Sequence, residues 1–178
     1  TSPMNNTYSV FKKIYGNITS LDADNITDVM LNFSVYEGTS TGVNIEGSNN
    51  IIYDSTRTFL TDEFVGNFLL VDIQNNTWSI LSNDAHSITC SSVALNDGAV
   101  SDVAGGDYKI VTSLIGKNIL LNDTVFEGID YNTHNTVTIN SASFDLIGTI
   151  GDPFQISIPQ TTGGPEGNGK GSFGIPAT

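Results

Sequence analysis

The chain has 178 residues, a length that suits one domain with a sizeable hydrophobic core. It carries 19 acidic against 6 basic residues, and the resulting net charge of −13 argues against binding to a nucleic-acid backbone or to an anionic membrane surface. No apolar stretch approaches the roughly 20 residues that a membrane-spanning helix needs, so membrane insertion is not expected.

Polar uncharged residues indicate the fold class. The sequence contains 19 Asn, 20 Thr and 18 Ser, which favour turns and strands, whereas the residues that usually fill surface helices are scarce. An all-β fold is therefore predicted. The single cysteine, Cys90, excludes an intramolecular disulfide. Because Cys90 has the same parity as Ile88 in an alternating run, it is predicted to be a small buried side chain.

The predicted elements begin with a short polar N-terminal arm at residues 1–7. The first strand is predicted at Asp28–Gly38, where one face would hold Val29, Leu31, Phe33 and Val35, and the other Met30, Asn32, Ser34 and Tyr36. Farther along, Thr61–Gly66 resembles one helical turn with Thr61 as its N-cap. The segment Gln74-Asn75-Asn76 predicts a hairpin turn.

The remaining predicted strands are short and separated by turn residues. They are Asn50–Asp54, Asn67–Ile73, Thr77–Leu81, His86–Cys90, Asp107–Val111, Asn118–Leu121, Asn135–Ile139 and Phe154–Ile158. Such spacing predicts a β-sandwich or a partly open barrel, Greek-key or jelly-roll-like, with extended N- and C-terminal arms.

Residues 8–159 form the single predicted β domain, and a faint internal repeat relates residues 49–111 to residues 117–158. Asn49–Phe59 resembles Lys117–Phe126, and each copy closes on a Gly-Asp pair, at Gly106 and at Gly151. A duplicated β-unit would explain the similarity, and so would convergent strand chemistry.

The Gly-rich residues 160–178 form a predicted C-terminal arm. They lack apolar periodicity, so in isolation they would be a flexible linker. Phe173 and Ile175, flanked by glycines and followed by Pro176, resemble an anchor. We expect this anchor to bind a sheet edge or groove of a neighbouring subunit, where an added strand satisfies its backbone groups. Packing along the arm's own domain is the alternative.

One stretch has the acidic spacing of a calcium loop. Asp22, Asp24 and Asp28 are candidate calcium ligands, but the glycine and glutamate of an EF-hand are missing, so a solvated acidic turn is the competing interpretation. No cofactor is expected to be required, and calcium is the one candidate ion.

Candidate catalytic and sugar-binding residues are few. Asp84 with His86 and Asp130 with His134 are the neighbouring Asp–His pairs, but no nucleophile elbow accompanies them, so an enzyme is not expected. Aromatic residues on a β-sandwich can bind sugars by stacking, and Trp78 at the end of a hairpin is the best exposed candidate. Core positions are the default assignment for these aromatic residues, and one tryptophan does not make a sugar-binding platform.

Residues 50–111 resemble a β-module that recurs in bacteriophage structural proteins, over about a third of the chain. The residues that carry the resemblance are Asp54, Phe59, Val65-Gly66, Ile80, Asn83-Asp84, Ile88-Thr89 and the closing Gly106-Asp107-Tyr108 with Ile110. The resemblance implies a scaffold, with no catalytic residue to carry over.

These observations predict a non-enzymatic structural subunit of a symmetric assembly, most specifically a phage virion protein of the head decoration, tail or baseplate. Its expected partners are copies of itself or other structural proteins, without nucleic acid. One alternative is a secreted subunit of an extracellular filament joined by donated strands and stabilised by calcium. Six Asn-x-Ser/Thr sequons and the acidic composition favour that alternative slightly. The other is a carbohydrate-binding β-sandwich module.

Overall fold

The structure is a computed structural model that describes residues 9–97 and 102–161, with the side chains of residues 13–97 and 102–157. In these residues it contains fifteen β-strands and one turn of 3-10 helix at Phe144–Leu146. The strands are β1 (Ser9–Asn17), β2 (Ser20–Leu21), β3 (Asn25–Thr27), β4 (Ser34–Thr39), β5 (Gly42–Glu46), β6 (Asn49–Tyr53), β7 (Phe68–Val71), β8 (Thr77–Asn83), β9 (Ser87–Cys90), β10 (Asp107–Thr112), β11 (Asn118–Leu121), β12 (Thr124–Phe126), β13 (Tyr131–Asn132), β14 (Thr136–Thr138) and β15 (Pro153–Thr161).

The strands form three antiparallel sheets. Two have four strands, in the orders β1-β15-β11-β12 and β13-β14-β3-β2, and the third has seven, in the order β4-β10-β7-β8-β9-β6-β5. Over the described ranges, none of the sheets closes into a barrel. The predicted all-β fold is confirmed, and the arrangement is consistent with a β-sandwich. The described part of the chain holds no helix with the length and apolar character needed to cross a membrane.

Two hydrophobic cores share one wall, made by β7 and β10. Leu69 and Val71 of β7 face the first core, whereas Leu70 between them faces the second. On β10, Val111 faces the first core and Ile110 the second. The register fits this division, because Ile110 lies opposite Leu70 and Val111 opposite Leu69. Burial on both faces explains why β7 is a continuous apolar run and does not alternate between apolar and polar residues.

The seven-stranded sheet curls around the second core. Its two edge strands, β4 and β5, are joined by only Ser40 and Thr41, which together span about 7 Å when extended. The Ser40 N–H donates to the Gly106 carbonyl at the end of the wall, and the Thr41 N–H donates to the Tyr53 carbonyl at the end of β6. The opposite edges of this sheet therefore meet at one end without closing.

Most of the predicted strands lie within one or two residues of the observed ones. The hairpin predicted at Gln74-Asn75-Asn76 is confirmed, since β7 pairs with β8 and Asn75 has the positive φ of 68° that such a turn requires. The prediction for Cys90 is also confirmed: Cys90 is 1% exposed beside Ile88 in the second core.

The prediction for Asp28–Gly38 is wrong in its first half, whereas the predicted alternation continues through β4. The Asp28 carboxylate accepts the Met30 N–H, and the Asp28 carbonyl accepts the Leu31 N–H, so a turn replaces the strand there. Strand β4 begins only at Ser34. Within it Val35 is 52% exposed, whereas Tyr36 packs against the second core.

The predicted helical turn at Thr61–Gly66 is also wrong. Asp62 adopts a left-handed φ of 57°, which stops a helix after one residue, and successive turns follow instead. The pairing of strands does not follow the internal similarity either. Strand β6 pairs with β9, whereas its counterpart β11 pairs with β15.

Candidate functional site

An aspartate–tyrosine pair lies inside the second core. Asp54 is 1% exposed, and its Oδ2 accepts a hydrogen bond of 2.6 Å from the Tyr108 hydroxyl. Burial alone would raise the pKa of Asp54. Hydrogen bonds from Thr56 and Tyr108 nevertheless hold this pKa below its usual range. Burial, followed by the bond to Asp54, raises the pKa of Tyr108, so its phenol remains the donor. A Cβ at Gly38 would lie 2.8 Å from both the Asp54 Oδ2 and the Tyr108 hydroxyl oxygen, so only glycine fits beside the pair.

The lowered pKa of Asp54 predicts acid sensitivity. Because the folded pKa lies below the unfolded value of about 3.9, ionised Asp54 stabilises the fold fully above that value, and its contribution is lost as pH falls through the folded pKa. We expect the difference in free energy of unfolding between the parent protein and Asp54→Asn to be constant from about pH 7 to 5. This difference should become smaller below about pH 4. Urea unfolding at each pH measures it. A difference that stays constant at the lowest pH would contradict the assignment.

A second buried carboxylate, Asp72, organises the β7–β8 hairpin. Its Oδ1 accepts the N–H groups of Gln74 and Asn76, and its Oδ2 accepts the Trp78 indole N–H at 3.3 Å and the Ala104 N–H at 3.1 Å. Trp78 itself is 0% exposed. Trp78, the best exposed candidate for sugar stacking, is therefore buried: the hairpin directs its ring into the core, where Asp72 satisfies its polar end.

The three candidate calcium ligands all accept backbone hydrogen bonds. Their donors are Asp24 and Asn25 for Asp22, Ser141 for Asp24, and Asn17 and Met30 for Asp28. Asp28 is 4% exposed. The side-chain bond from Asn25, aided by the backbone bonds, keeps the pKa of Asp22 below its usual range. Among the described residues, no group of three or more acidic, histidine or cysteine side chains is placed to hold a metal ion. These aspartates shape turns around β3.

The two Asp–His pairs have different surroundings. The Asp84 carboxylate accepts the backbone N–H groups of His86 and Ser87, and the Asp130 carboxylate accepts the backbone N–H of Asn140. His86 is exposed. His134 is partly buried, and this burial, together with the charge of Lys109, lowers its pKa. In both pairs the carboxylate holds a turn, an arrangement different from the imidazole-orienting bond of a catalytic triad.

The edge strands of the sheets differ in how they are protected. Edges are usually protected by shortness, by charge or by a bulge. Strands β2 and β13 have two residues each and β12 has three, β1 carries Lys13, and β4 carries Glu37 and pairs with β10 across a bulge. Strand β5 pairs with β6 over five residues without a register shift, and its one charged residue, Glu46, is its last. Its Val43 and Ile45 are 44% and 50% exposed.

Register shows which face of β5 these two side chains occupy. Val43 lies opposite Ile52, and Ile45 lies opposite Asn50. Ile52 and Asn50 are only 1% and 2% exposed. Because directly opposite residues of an antiparallel pair point to the same face, Val43 and Ile45 point to the inner face of the curled sheet. They stay half exposed because, in the described part of the chain, β5 has a neighbouring strand on one side only.

A second exposed apolar surface surrounds a groove of about 550 Å³. Tyr15 and Met30 line it and are 64% and 85% exposed, and Leu31, Phe154 and Leu120 contribute its other apolar walls. The predicted anchor residues Phe173, Ile175 and Pro176 lie outside the described residues, as does the N-terminal arm at residues 1–7. Strand β15 extends to Thr161, two residues into the segment assigned to the C-terminal arm.

The residues that carry the resemblance to phage β-modules are divided between the second core and the surface, where Val65, Asp84 and Asp107 are exposed. Phe59, Ile80, Ile88, Tyr108 and Ile110 all belong to the second core, and Asp54 bonds to Tyr108. Asn83 holds the loop that precedes β7, because its side chain accepts the Phe64 N–H and donates to the Leu60 carbonyl. No protein-family model, curated protein or solved structure matches the chain.

Proposed function

We propose that this protein is a non-enzymatic structural subunit of a symmetric protein assembly whose copies associate through an open sheet edge. The observation that carries the proposal is β5: a regular five-residue edge strand with two half-exposed β-branched side chains and no lysine, proline or bulge. Natural β-proteins protect such an edge unless another chain covers it. An added strand would pair with the outward backbone groups of β5, which have no partner strand in the described ranges, and would cover both side chains.

More specifically, we propose a virion protein of a bacteriophage, in the head decoration, the tail or the baseplate. The resemblance of residues 50–111 to phage β-modules supports this role, and five of the residues that carry it pack together in the second core. The charge of −13 suits an external layer more than contact with packaged nucleic acid. Repetition of a weak edge contact over many copies would stabilise a particle.

Removing the arm tests the proposal. We expect a chain ending at Thr161 to lose self-association, because we propose that the C-terminal arm of one copy adds the strand that pairs with the edge of the next. Sedimentation velocity over a range of concentrations compares it with the full chain. Phe173→Ala with Ile175→Ala is the matched variant that keeps the length of the arm, and it should fail equally. If the shortened chain associates as well as the full chain, the C-terminal arm does not join the copies.

A further inference from the structure

Given the proposed function, we infer that the occupant of the β5 edge is the segment Ser172–Pro176 of a second copy of this chain. In that complex Phe173 and Ile175 cover Val43 and Ile45. The contact has two sides: β5 is the acceptor strand, and Ser172–Pro176 is the donor segment.

The acceptor requires apolar residues at every second position. Val43 and Ile45 are two residues apart and point to the inner face of the sheet, as their partners Ile52 and Asn50 show. A strand added beside β5 must therefore place its own inward residues two apart as well. Outward positions of that strand would face solvent, because β5 carries polar Asn44 and Glu46 there.

The donor segment has this pattern. Phe173 and Ile175 are two residues apart, with Gly174 between them, so both fall on one face of an extended strand. They are the only large apolar residues in positions 162–178. Pro176 has no backbone N–H and ends the pairing. The added strand would thus be short, which matches the five residues of β5.

Length and charge also permit the contact. Twelve positions separate Thr161, where β15 ends, from Phe173, and extended they span about 40 Å. This span is comparable to the diameter of a domain of this size, about 40 Å, so the segment can reach a neighbouring copy. Residues 162–178 contain one acid, Glu166, and one base, Lys170, so their side chains add no net repulsion against the acidic domain.

Cysteine cross-linking between differently tagged copies tests the inference. We expect Ile45→Cys in one copy and Phe173→Cys in another to form a mixed disulfide on mild oxidation. Met30→Cys, at the exposed groove, and Val35→Cys, on the β4 edge, are the control acceptors and should react at least about tenfold less. The native Cys90 does not interfere, since it is buried and its burial raises the pKa of its thiol.

The cross-linking results distinguish failure of the assembly role from failure of the β5 acceptor assignment. If the full chain self-associates but Phe173→Cys links to Met30→Cys or Val35→Cys instead, the assembly role stands and the β5 acceptor is wrong. If the double variant Ile45→Cys/Phe173→Cys forms only an intrachain disulfide, the arm binds its own domain and the exchange between copies is wrong. If the full chain stays monomeric throughout and no mixed disulfide forms, both are wrong.

A charge variant gives an independent readout. Val43→Lys with Ile45→Lys places ammonium groups on the inner face of the edge, a protection that natural edges use. We expect self-association to weaken by at least about tenfold with an unchanged melting temperature, because both positions are half exposed in one copy. Val35→Lys on β4 is the control. Equal weakening by the control, or none by the double variant, would overturn the inference.

Discussion

Replacing Asp72 with alanine is expected to lower the free energy of unfolding by about 3 kcal/mol or more. The substitution removes a carboxylate that is 4% exposed and accepts four hydrogen bonds. Two of its donors, the Trp78 indole N–H and the Ala104 N–H, would be left without this partner, and a buried unsatisfied donor costs about 1–3 kcal/mol. The hairpin turn would lose its two side-chain acceptor bonds as well.

Urea unfolding followed by the fluorescence of Trp78, the single tryptophan, measures the change. Glu127→Ala is the control, since it removes the same charge from an exposed position and should change stability by less than about 0.5 kcal/mol. If Asp72→Ala unfolds at the same urea concentration as Glu127→Ala, the hydrogen bonds of Asp72 do not hold the hairpin.

Replacing Phe144 with alanine is expected to destabilise both cores together, by about 3–5 kcal/mol. Phe144 is 0% exposed in the first core, and its ring centroid lies 4.7 Å from that of Phe126. Because β7 and β10 form a wall with side chains in both cores, loss of packing on one face weakens the other. The protein should therefore unfold as one cooperative unit.

Two spectroscopic signals distinguish cooperative unfolding of the two cores from independent unfolding. Trp78 fluorescence reports the second core, and far-ultraviolet circular dichroism reports all strands. In Phe144→Ala both transitions should move to lower urea by the same amount. Leu146→Ala, in the same short turn but 81% exposed, should move neither. If the Trp78 transition of Phe144→Ala stays in place while circular dichroism shows an earlier step, the two cores are independent.

The sequence was most informative where a strand is buried. The segment around Leu69 and Leu70 is apolar on both faces, and the Asn-rich turn after it has one common solution, so strand and hairpin were both predicted correctly. The strand prediction failed at Asp28 because apolar residues alternate there although the chain turns. The Asp28 side chain accepts the backbone N–H of Met30, two positions later, and this bond stabilises the turn. Trp78 misled the prediction because hairpin position does not show which face of the strand is buried.

Of the proposed contact, only the donor segment could be predicted from the sequence. Phe173, Ile175 and Pro176 form a recognisable pattern because the residues around them are glycine and polar. Strand β5 also alternates, at Val43 and Ile45, but it is short and follows a turn. Its open edge depends on the order of seven strands, and that order is fixed by contacts between residues far apart in the chain, which no local pattern contains.

Amide hydrogen exchange in residues 42–46 tests most directly whether copies associate through this edge. The full chain, at a concentration where it associates, is compared with the chain ending at Thr161. We expect the outward amides of β5 to exchange at least about tenfold more slowly in the full chain, because a second copy's strand hydrogen-bonds to them. Equal exchange rates in the two proteins, with the full chain associated, would contradict assembly through β5.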